Sequence, residues 1–282
     1  MDKFPSIKYT ASSGMVYDFR AKGSAKIKAA GFHSYEWDPD TDNLVQGVKV
    51  NAFKRKSAEY EMELLLIGAR ADNRSLRDAM HDDFERDVET MHPGKLTWGD
   101  YNLDCYVIES ETEPDDVPGR VLNKIKFYAP YPYWYSEQTY SYVPYEQVTD
   151  GKTYDYTYEY TYGRKNTTDI IVGHYKPVNY KAVVYGPAGS VHIAVGDKVI
   201  AVNAAIDDGG YMVIDSRPGA NPDRRCYTVS ASGVITNVFD MRDPAHELFS
   251  QIQPGQHTLN ITGSYAVDLT IFKERSEPTW TI

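Results

Sequence analysis

Hydrophobic and polar residues alternate along most of the chain with a period of two, which indicates β-strands. The run Glu59–Ile67 is the clearest case, because four apolar residues fall on one face and three glutamates on the other. A β-hairpin is predicted from residues 34–37 and 44–53, with the turn-rich segment Asp38–Asn43 between its two arms. Further strands are predicted in this half at residues 15–20, 95–98, 103–109 and 120–128.

One helix is predicted between Asp72 and Thr90, at about residues 73–90. Apolar residues recur at every fourth position and so share one side of the helix: Leu76, Met80, Phe84 and Val88. Asp72 or Ser75 can cap the amino end, and residues 91–94 supply the proline and glycine that end helices. The other face is mostly acidic and is interpreted as exposed to solvent: Arg77, Asp78, Asp82, Asp83, Glu85, Arg86, Asp87 and Glu89.

The second half of the chain shows strand patterns alone. Short apolar runs alternate with Gly- and Pro-containing turns at the spacing typical of a β-sandwich. The predicted strands are residues 181–185, 191–195, 199–203, 211–215, 225–229, 234–239, 257–262 and 266–272.

A run of alternating tyrosines precedes these strands. The five rings share one face of a predicted strand: Tyr154, Tyr156, Tyr158, Tyr160 and Tyr162. They are interpreted either as an ordinary half-buried sheet face, since tyrosine is a good strand former, or as a docking face for a sugar or a protein. The sequence leaves both interpretations open.

The two halves meet at a segment rich in aromatic residues and proline, residues 127–135, which we call the seam. Its prolines remove two backbone donors, so the preceding strand must end there. This predicts one domain at residues 1–134 and a second at 135–282. Because the rings need cover, an interdomain joint is predicted from Phe127, Pro130, Tyr131, Pro132, Tyr133, Trp134, Pro278 and Trp280.

Composition and charge argue against several classes of protein. The formal net charge of -10 disfavours a surface that binds nucleic-acid phosphates. No window approaches the roughly 20 apolar residues of a membrane span, and the first residues lack a signal-peptide pattern, so a cytosolic protein without a membrane partner is expected. Cys105 and Cys226 lie in separate strand runs on either side of the seam, which favours buried thiols over a disulfide.

No pattern of residues indicates catalysis or a metal site. Asp38, Asp40 and Asp42 alternate as in a calcium loop, but Asn43 and Lys49 replace the required glycine and glutamate, which favours an acidic hairpin turn. The histidines are scattered without zinc-ligand spacing. Carboxylate pairs are expected on exposed turns in a chain with 40 acidic residues. We therefore assign no catalytic residue, no metal and no cofactor, and we do not expect an enzyme.

Five segments carry a resemblance to a known family. The seam joins a Phe-x-Ala pair to a Pro-Tyr-Trp sequence, and the end of the chain reads Arg-x-Glu-Pro-x-Trp. Between them, in order, lie Tyr185–Ala188, Gly210–Ser216 and Phe249–Gly255. In order and spacing these segments resemble the distal tail proteins of long-tailed bacteriophages (siphophages). The resemblance covers nearly the whole chain, with its specific segments after residue 127.

The resemblance implies a mainly β protein. In that family a mixed β-sandwich with one helix forms the amino-terminal ring, or belt, domain, and a galectin-like antiparallel β-sandwich follows. It also implies a structural baseplate hub at the distal tail tip of a virion, assembled in the host cytoplasm and sometimes encoded by a prophage. Six copies form a ring in this family, which contacts the tail tube protein, the tail-tip protein and a receptor-binding or fibre protein for host attachment.

Two features depart from the family pattern. The seam lacks an aspartate before its central proline. The second half lacks the His-x-Asn-Pro-Arg and glutamate pattern of sugar-binding galectins, so the galectin-like fold is expected without galectin chemistry. The alternative function is a carbohydrate-binding β-sandwich module that attaches to host cell-wall glycans through the face Tyr154–Tyr162.

Overall fold

We describe the protein from a computed structural model, which defines residues 7–19, 25–67, 70–114, 117, 120–144, 167–218 and 225–279. The described chain is mainly β with one α-helix, as the sequence predicts. It divides into two compact units. The first contains the chain up to Ser136 together with the segment from Glu274 onward, and the second is Glu137–Lys273. The segment after Glu274 thus groups with the first unit, whereas the sequence boundaries placed it in the second domain.

In the residues that the structure describes, the first unit contains nine complete strands and the helix. They are β1 (Ile7–Thr10), β2 (Val16–Asp18), β3 (Ala25–Ala30), β4 (Asp38–Asn43), β5 (Val48–Lys54), β6 (Ala58–Ile67), α1 (Arg70–Glu89), β7 (Gly94–Trp98), β8 (Tyr101–Pro114) and β9 (Arg120–Ala129). Strand β9 ends directly before Pro130, where the sequence predicts that the strand must stop.

Antiparallel pairing in this unit is organised around the long strand β8. Its first residues pair with β7, which continues the sheet to β1 and then β2. From Tyr106 onward β8 pairs with β9, which continues to β6 and then β3. A β-bulge at Ile108, between the pairs of Val107 and Glu109, lies in this second part. The core of the unit consists of inward-facing apolar residues from both groups of strands, with Met80 and Phe84 from α1.

Strand β6 follows the predicted alternation. Tyr60, Met62, Leu64 and Leu66 are at most 2% exposed, whereas the glutamates between them are exposed or half-buried. A period of two places one set of side chains on the core face of the sheet, so this strand is fixed in register by burial alone.

The second unit is a β-sandwich. The chain enters it within β10 (Trp134–Tyr142) and leaves it within the last strand, β19 (Val267–Arg275). Between these lie β11 (Thr167–Val172), β12 (Asn179–Tyr185), β13 (Val191–Val195), β14 (Lys198–Val202), β15 (Tyr211–Asp215), β16 (Cys226–Val229), β17 (Ile235–Asn237) and β18 (Gly255–Ile261). One sheet has the order β17-β16-β15-β12-β19-β10 and the other β11-β18-β13-β14. Apolar residues from the inner faces of both sheets form a single core.

Candidate functional site

The seam residues lie in the first unit. Phe127 and Trp134 are completely buried there, and the Trp134 ring lies 5.7 Å from the Phe32 ring and 6.2 Å from that of Tyr60. Pro132 is buried, Tyr131 and Tyr133 are half-buried, and Pro130 is exposed. Two large seam rings are therefore part of the first hydrophobic core. The role of the seam as an interdomain joint stays a prediction.

Arg55, directly after β5, links the seam to the carboxy-terminal segment. Its Nη1 donates to the carbonyl of Pro132 at 2.5 Å and, more weakly, to that of Ser276 at 3.4 Å. Its guanidinium lies over the Tyr133 ring, 5.0 Å from the centroid, where a cation–π attraction adds to the hydrogen bonds. These contacts tie three distant parts of the first unit together.

A second link holds the same carboxy-terminal segment. The hydroxyl of Tyr131 donates to Glu274 at 2.9 Å, and Glu274 is only 3% exposed. Pro278, predicted from the sequence as part of the joint, is buried as well. Trp280 and the alternating tyrosines Tyr154–Tyr162 lie outside the described residues.

The face of α1 that the sequence assigns to solvent is partly buried, and that prediction was wrong for two aspartates. Asp87 is completely buried and accepts hydrogen bonds from the Tyr9 hydroxyl at 2.6 Å and the Ser12 amide at 2.8 Å. Asp83 is 7% exposed and accepts from the Tyr17 hydroxyl at 2.5 Å and from the Ser13 hydroxyl at 2.9 Å.

These bonds satisfy both carboxylates with donors from the segment of β1 and β2. Burial is the largest cause that raises the pKa of Tyr9 and Tyr17 well above the usual value, and the adjacent carboxylates raise it further.

Val88, predicted on the apolar face, is instead 42% exposed. The buried stripe of α1 is therefore rotated toward Asp83 and Asp87. The hydrogen bonds of Asp83 and Asp87 attach the helix to the strands β1 and β2, and both carboxylates are engaged in these bonds.

The predicted hairpin of residues 34–53 exists, but the position of its turn was wrong. Asp38–Asn43 forms strand β4, which pairs with β5, and the turn is Leu44–Gly47. Gly47 has a φ of +83°, a conformation that glycine adopts without steric cost, and the Leu44 amide donates to its carbonyl at 3.1 Å. The glycine therefore favours the turn at this position, whereas Pro39 and the aspartates before it lie in strand β4.

Cross-strand partners explain why an acidic segment forms a strand. Asp38 pairs with Lys56 at 2.8 Å, and Asp40 pairs with Lys54 at 2.7 Å. Asp42 accepts a hydrogen bond from Asn51 at 2.7 Å. Each carboxylate that a calcium loop would use thus has a partner on the other arm. No group of three or more His, Cys, Asp or Glu side chains is placed to hold a metal ion in the described part of the chain.

The same hairpin exposes several apolar side chains. Every residue of β4 and β5 is exposed. Val45 at the tip is fully exposed at 103%, and Leu44, Val48 and Phe53 are 56–60% exposed. An isolated two-stranded hairpin is only marginally stable in water, and exposed apolar clusters mark interaction surfaces. We call residues 43–49 the hairpin tip.

A groove lies between α1 and β8 in the same unit. Its volume is about 430 Å³, and it is lined from the helix by His81, Phe84, Glu85, Val88 and Glu89 and from the strand by the stretch 107–110. Val88 and the bulged Ile108 are 42% and 48% exposed, so the floor of the groove presents apolar surface to solvent. At its rim Glu89 carries a negative charge, whereas Glu109 is paired with Lys126 at 2.9 Å and Glu85 lies 3.4 Å from His81. We call this feature the helix groove.

The two cysteines are free and buried, as the sequence predicts. Burial raises the pKa of the Cys226 thiol to about 12 and that of Cys105 well above its usual range. Reactive cysteines have lowered pKa values and are accessible, so neither thiol has the character of a nucleophile. In the described residues no helix is both long and apolar enough to cross a membrane.

Solved structures with the same fold come from phage tails. The Dit protein of phage SPP1, described as a paradigm of the hub adsorption apparatus in phages that infect Gram-positive bacteria, matches with a TM-score of 0.57 and 12% identity. The match covers 95% of this chain and 99% of that one. This chain has the fold of a phage tail hub.

Chains of the phage P2 baseplate agree with this result. Two structures of this baseplate in its activated conformation match, one with Ca and one with Sr. Each match has a TM-score of 0.64 and 13% identity and covers 97% of this chain and 99% of the other. No protein-family model and no curated protein matches the sequence. The resemblance to distal tail proteins that the sequence predicts is thus confirmed at the level of the fold.

Proposed function

We propose that this protein is the distal tail hub of a long-tailed phage. A ring of six copies, formed by the first units, joins the tail tube protein to the tail-tip protein. The second units carry receptor-binding or fibre proteins. In this function the protein positions other proteins in a virion and carries out no catalysis. A prophage-derived tail is an equally suitable setting.

The observation that supports this proposal is the extent of the structural match. A single shared β-sandwich would match half of the chain, because such sandwiches recur among proteins of unrelated function. Here the matches cover 95–97% of this chain and 99% of each tail protein, so they extend over the helix-bearing first unit as well as the sandwich. This coverage supports a hub function for the chain more strongly than a match to the sandwich alone would.

The chemistry of the described residues agrees with a structural role. The carboxylates that come nearest to a metal-binding pattern, Asp38, Asp40 and Asp42, are paired with Lys56, Lys54 and Asn51. Groups engaged in this way stabilise a fold and are poor general acids or bases. The carbohydrate-binding alternative rests on Tyr154–Tyr162, and nothing in the described residues favours it.

Light scattering and native mass spectrometry of the purified full-length protein test the proposal. We expect a closed ring of six chains of 32.0 kDa each, about 190 kDa in total. Electron microscopy of the same sample should show rings that add to one end of tubes of the tail tube protein. A protein that stays monomeric at high concentration and in the presence of tail tubes would overturn the proposal.

A further inference from the structure

We propose that the hairpin tip of one copy docks in the helix groove of the next copy and so closes the ring. This inference rests on the proposed function, because it names the contact that builds the ring. Both surfaces belong to the first unit, and they are different surfaces, so the contact is heterologous. A heterologous contact repeated around a rotation axis generates a closed ring.

The first argument is that no other part of the described chain buries the two strands of the hairpin. All thirteen residues of β4 and β5 are exposed. A hairpin of this length extends about 20 Å, and without a packed face it gains little stability from its own pairing. Three exposed apolar residues lie at the tip, Leu44, Val45 and Val48, and Val45 is fully exposed there. Such a tip gains free energy by insertion into an apolar groove of a second protein.

The second argument is complementarity of shape and charge. The hairpin tip reads Asn-Leu-Val-Gln-Gly-Val-Lys, so it carries one positive charge at Lys49 and no carboxylate. The helix groove has exposed apolar side chains at Val88 and Ile108 and the carboxylate of Glu89 at its rim. The aliphatic tip therefore fits the floor, and Lys49 is attracted to the rim. A second copy of this chain is the occupant that these features select.

The β-bulge in β8 gives the groove its apolar floor. In a regular antiparallel pair Ile108 would have a partner on β9, but the register passes from Val107 directly to Glu109. The extra residue leaves the ladder and is 48% exposed beside α1. Bulges of this kind redirect one side chain without loss of the strand. Here the redirected side chain is the contact that we assign to Val45 of the neighbouring copy.

Engineered disulfides test the contact in the full-length protein. Val45→Cys and Ile108→Cys place exposed thiols on the tip and on the groove, and the native Cys105 and Cys226 are buried and should stay unreacted. A mixture of the two single variants should form a covalent dimer under mild oxidation. The double variant should form a ladder that ends at a closed covalent ring. A control pair, Val45→Cys with Val234→Cys on the second unit, should form neither.

Charge reversal supplies an independent readout. We expect Lys49→Glu or Glu89→Lys alone to raise the concentration at which the ring dissociates by about tenfold, and the two changes together to restore it. Both side chains are exposed, so the variants should fold normally. If the Val45→Cys/Ile108→Cys double variant forms rings but no disulfide between positions 45 and 108, this inference is overturned and the proposed function stays intact. A wild-type protein that forms no ring would overturn the proposed function itself.

Discussion

Tyr9 and Asp87, 78 residues apart in the sequence, form a hydrogen bond of 2.6 Å in the interior of the first unit. Gly94 makes this possible, because a Cβ atom at that position would lie 2.1 Å from the Tyr9 hydroxyl. The same carboxylate also accepts the amide of Ser12. The carboxylate of Asp87 thus connects α1 with β1 and with the turn that follows β1, and Gly94 at the start of β7 leaves room for the bond.

The substitution Asp87→Ala should destabilise the protein by about 2–4 kcal/mol, because it leaves the buried Tyr9 hydroxyl without an acceptor and removes the bond to the Ser12 amide. Urea denaturation followed by tryptophan fluorescence measures the loss. The matched control is Asp82→Ala, an exposed aspartate on the same helix, which should change stability by less than about 0.5 kcal/mol. Equal effects of the two variants would contradict the role that we assign to Asp87.

The sequence predicts α1 and its limits well but not which of its aspartates are buried. Periodicity identifies Met80 and Phe84 correctly as core residues. It assigns Asp83 and Asp87 to solvent, because an aspartate is rarely buried unless it has specific donors. Those donors are Tyr9 and Tyr17, which come from strands more than sixty residues away. A pairing over such a distance has no signal in the local pattern of the chain.

Only the second arm of the hairpin β4–β5 was predicted correctly from the sequence. The first arm was missed because its partners are not its neighbours in the sequence. The alternation of residues 48–53 indicates the second arm, and Gly47 supplies the positive φ of the turn. The segment Asp38–Asn43 has the composition of a turn, and only its cross-strand lysines and Asn51 explain its pairing as a strand. Local composition was overridden here by partners on the other arm.

Arg55→Ala should release the carboxy-terminal segment from the first unit. The variant loses the hydrogen bonds to the carbonyls of Pro132 and Ser276 and the contact with the Tyr133 ring, at a cost of about 2–3 kcal/mol. Trypsin should then cleave after Lys273 or Arg275 several times faster than in the wild type. The neighbouring Lys56→Ala, which removes only an exposed pair with Asp38, is the control and should be cleaved at the wild-type rate.

Calcium should have no effect on the stability of this protein. The carboxylates of Asp38, Asp40 and Asp42 are paired with Lys56, Lys54 and Asn51, so a cation would have to displace these partners. Thermal melts in millimolar CaCl2 and in chelator should coincide within about 1 °C. A rise of several degrees in calcium that is lost in Asp40→Asn would show that β4 binds the ion.

The stability of the first unit should fall at alkaline pH, with Tyr9 as one of the groups responsible. Burial, the neighbouring Cys105 and the bond to Asp87 hold the pKa of Tyr9 well above its usual value of about 10. Above pH 10 the unfolded chain therefore loses the tyrosine proton while the folded protein keeps it. The free energy of unfolding then declines with rising pH, by about 1.4 kcal/mol per pH unit for each such group.

Tyr9→Phe separates this contribution from those of the other tyrosines. The variant lacks the hydrogen bond to Asp87 and should be less stable than the wild type at pH 8, but its stability should decline less steeply above pH 10. The gap between the two proteins should therefore narrow by about 1 kcal/mol between pH 10 and 11 in urea denaturation. Tyr175→Phe, at a side chain that is 78% exposed, should follow the wild-type curve throughout. Parallel curves for the wild type and Tyr9→Phe would mean that the Tyr9 hydroxyl ionises as readily in the folded protein as in the unfolded chain, and that its bond to Asp87 is not maintained in solution.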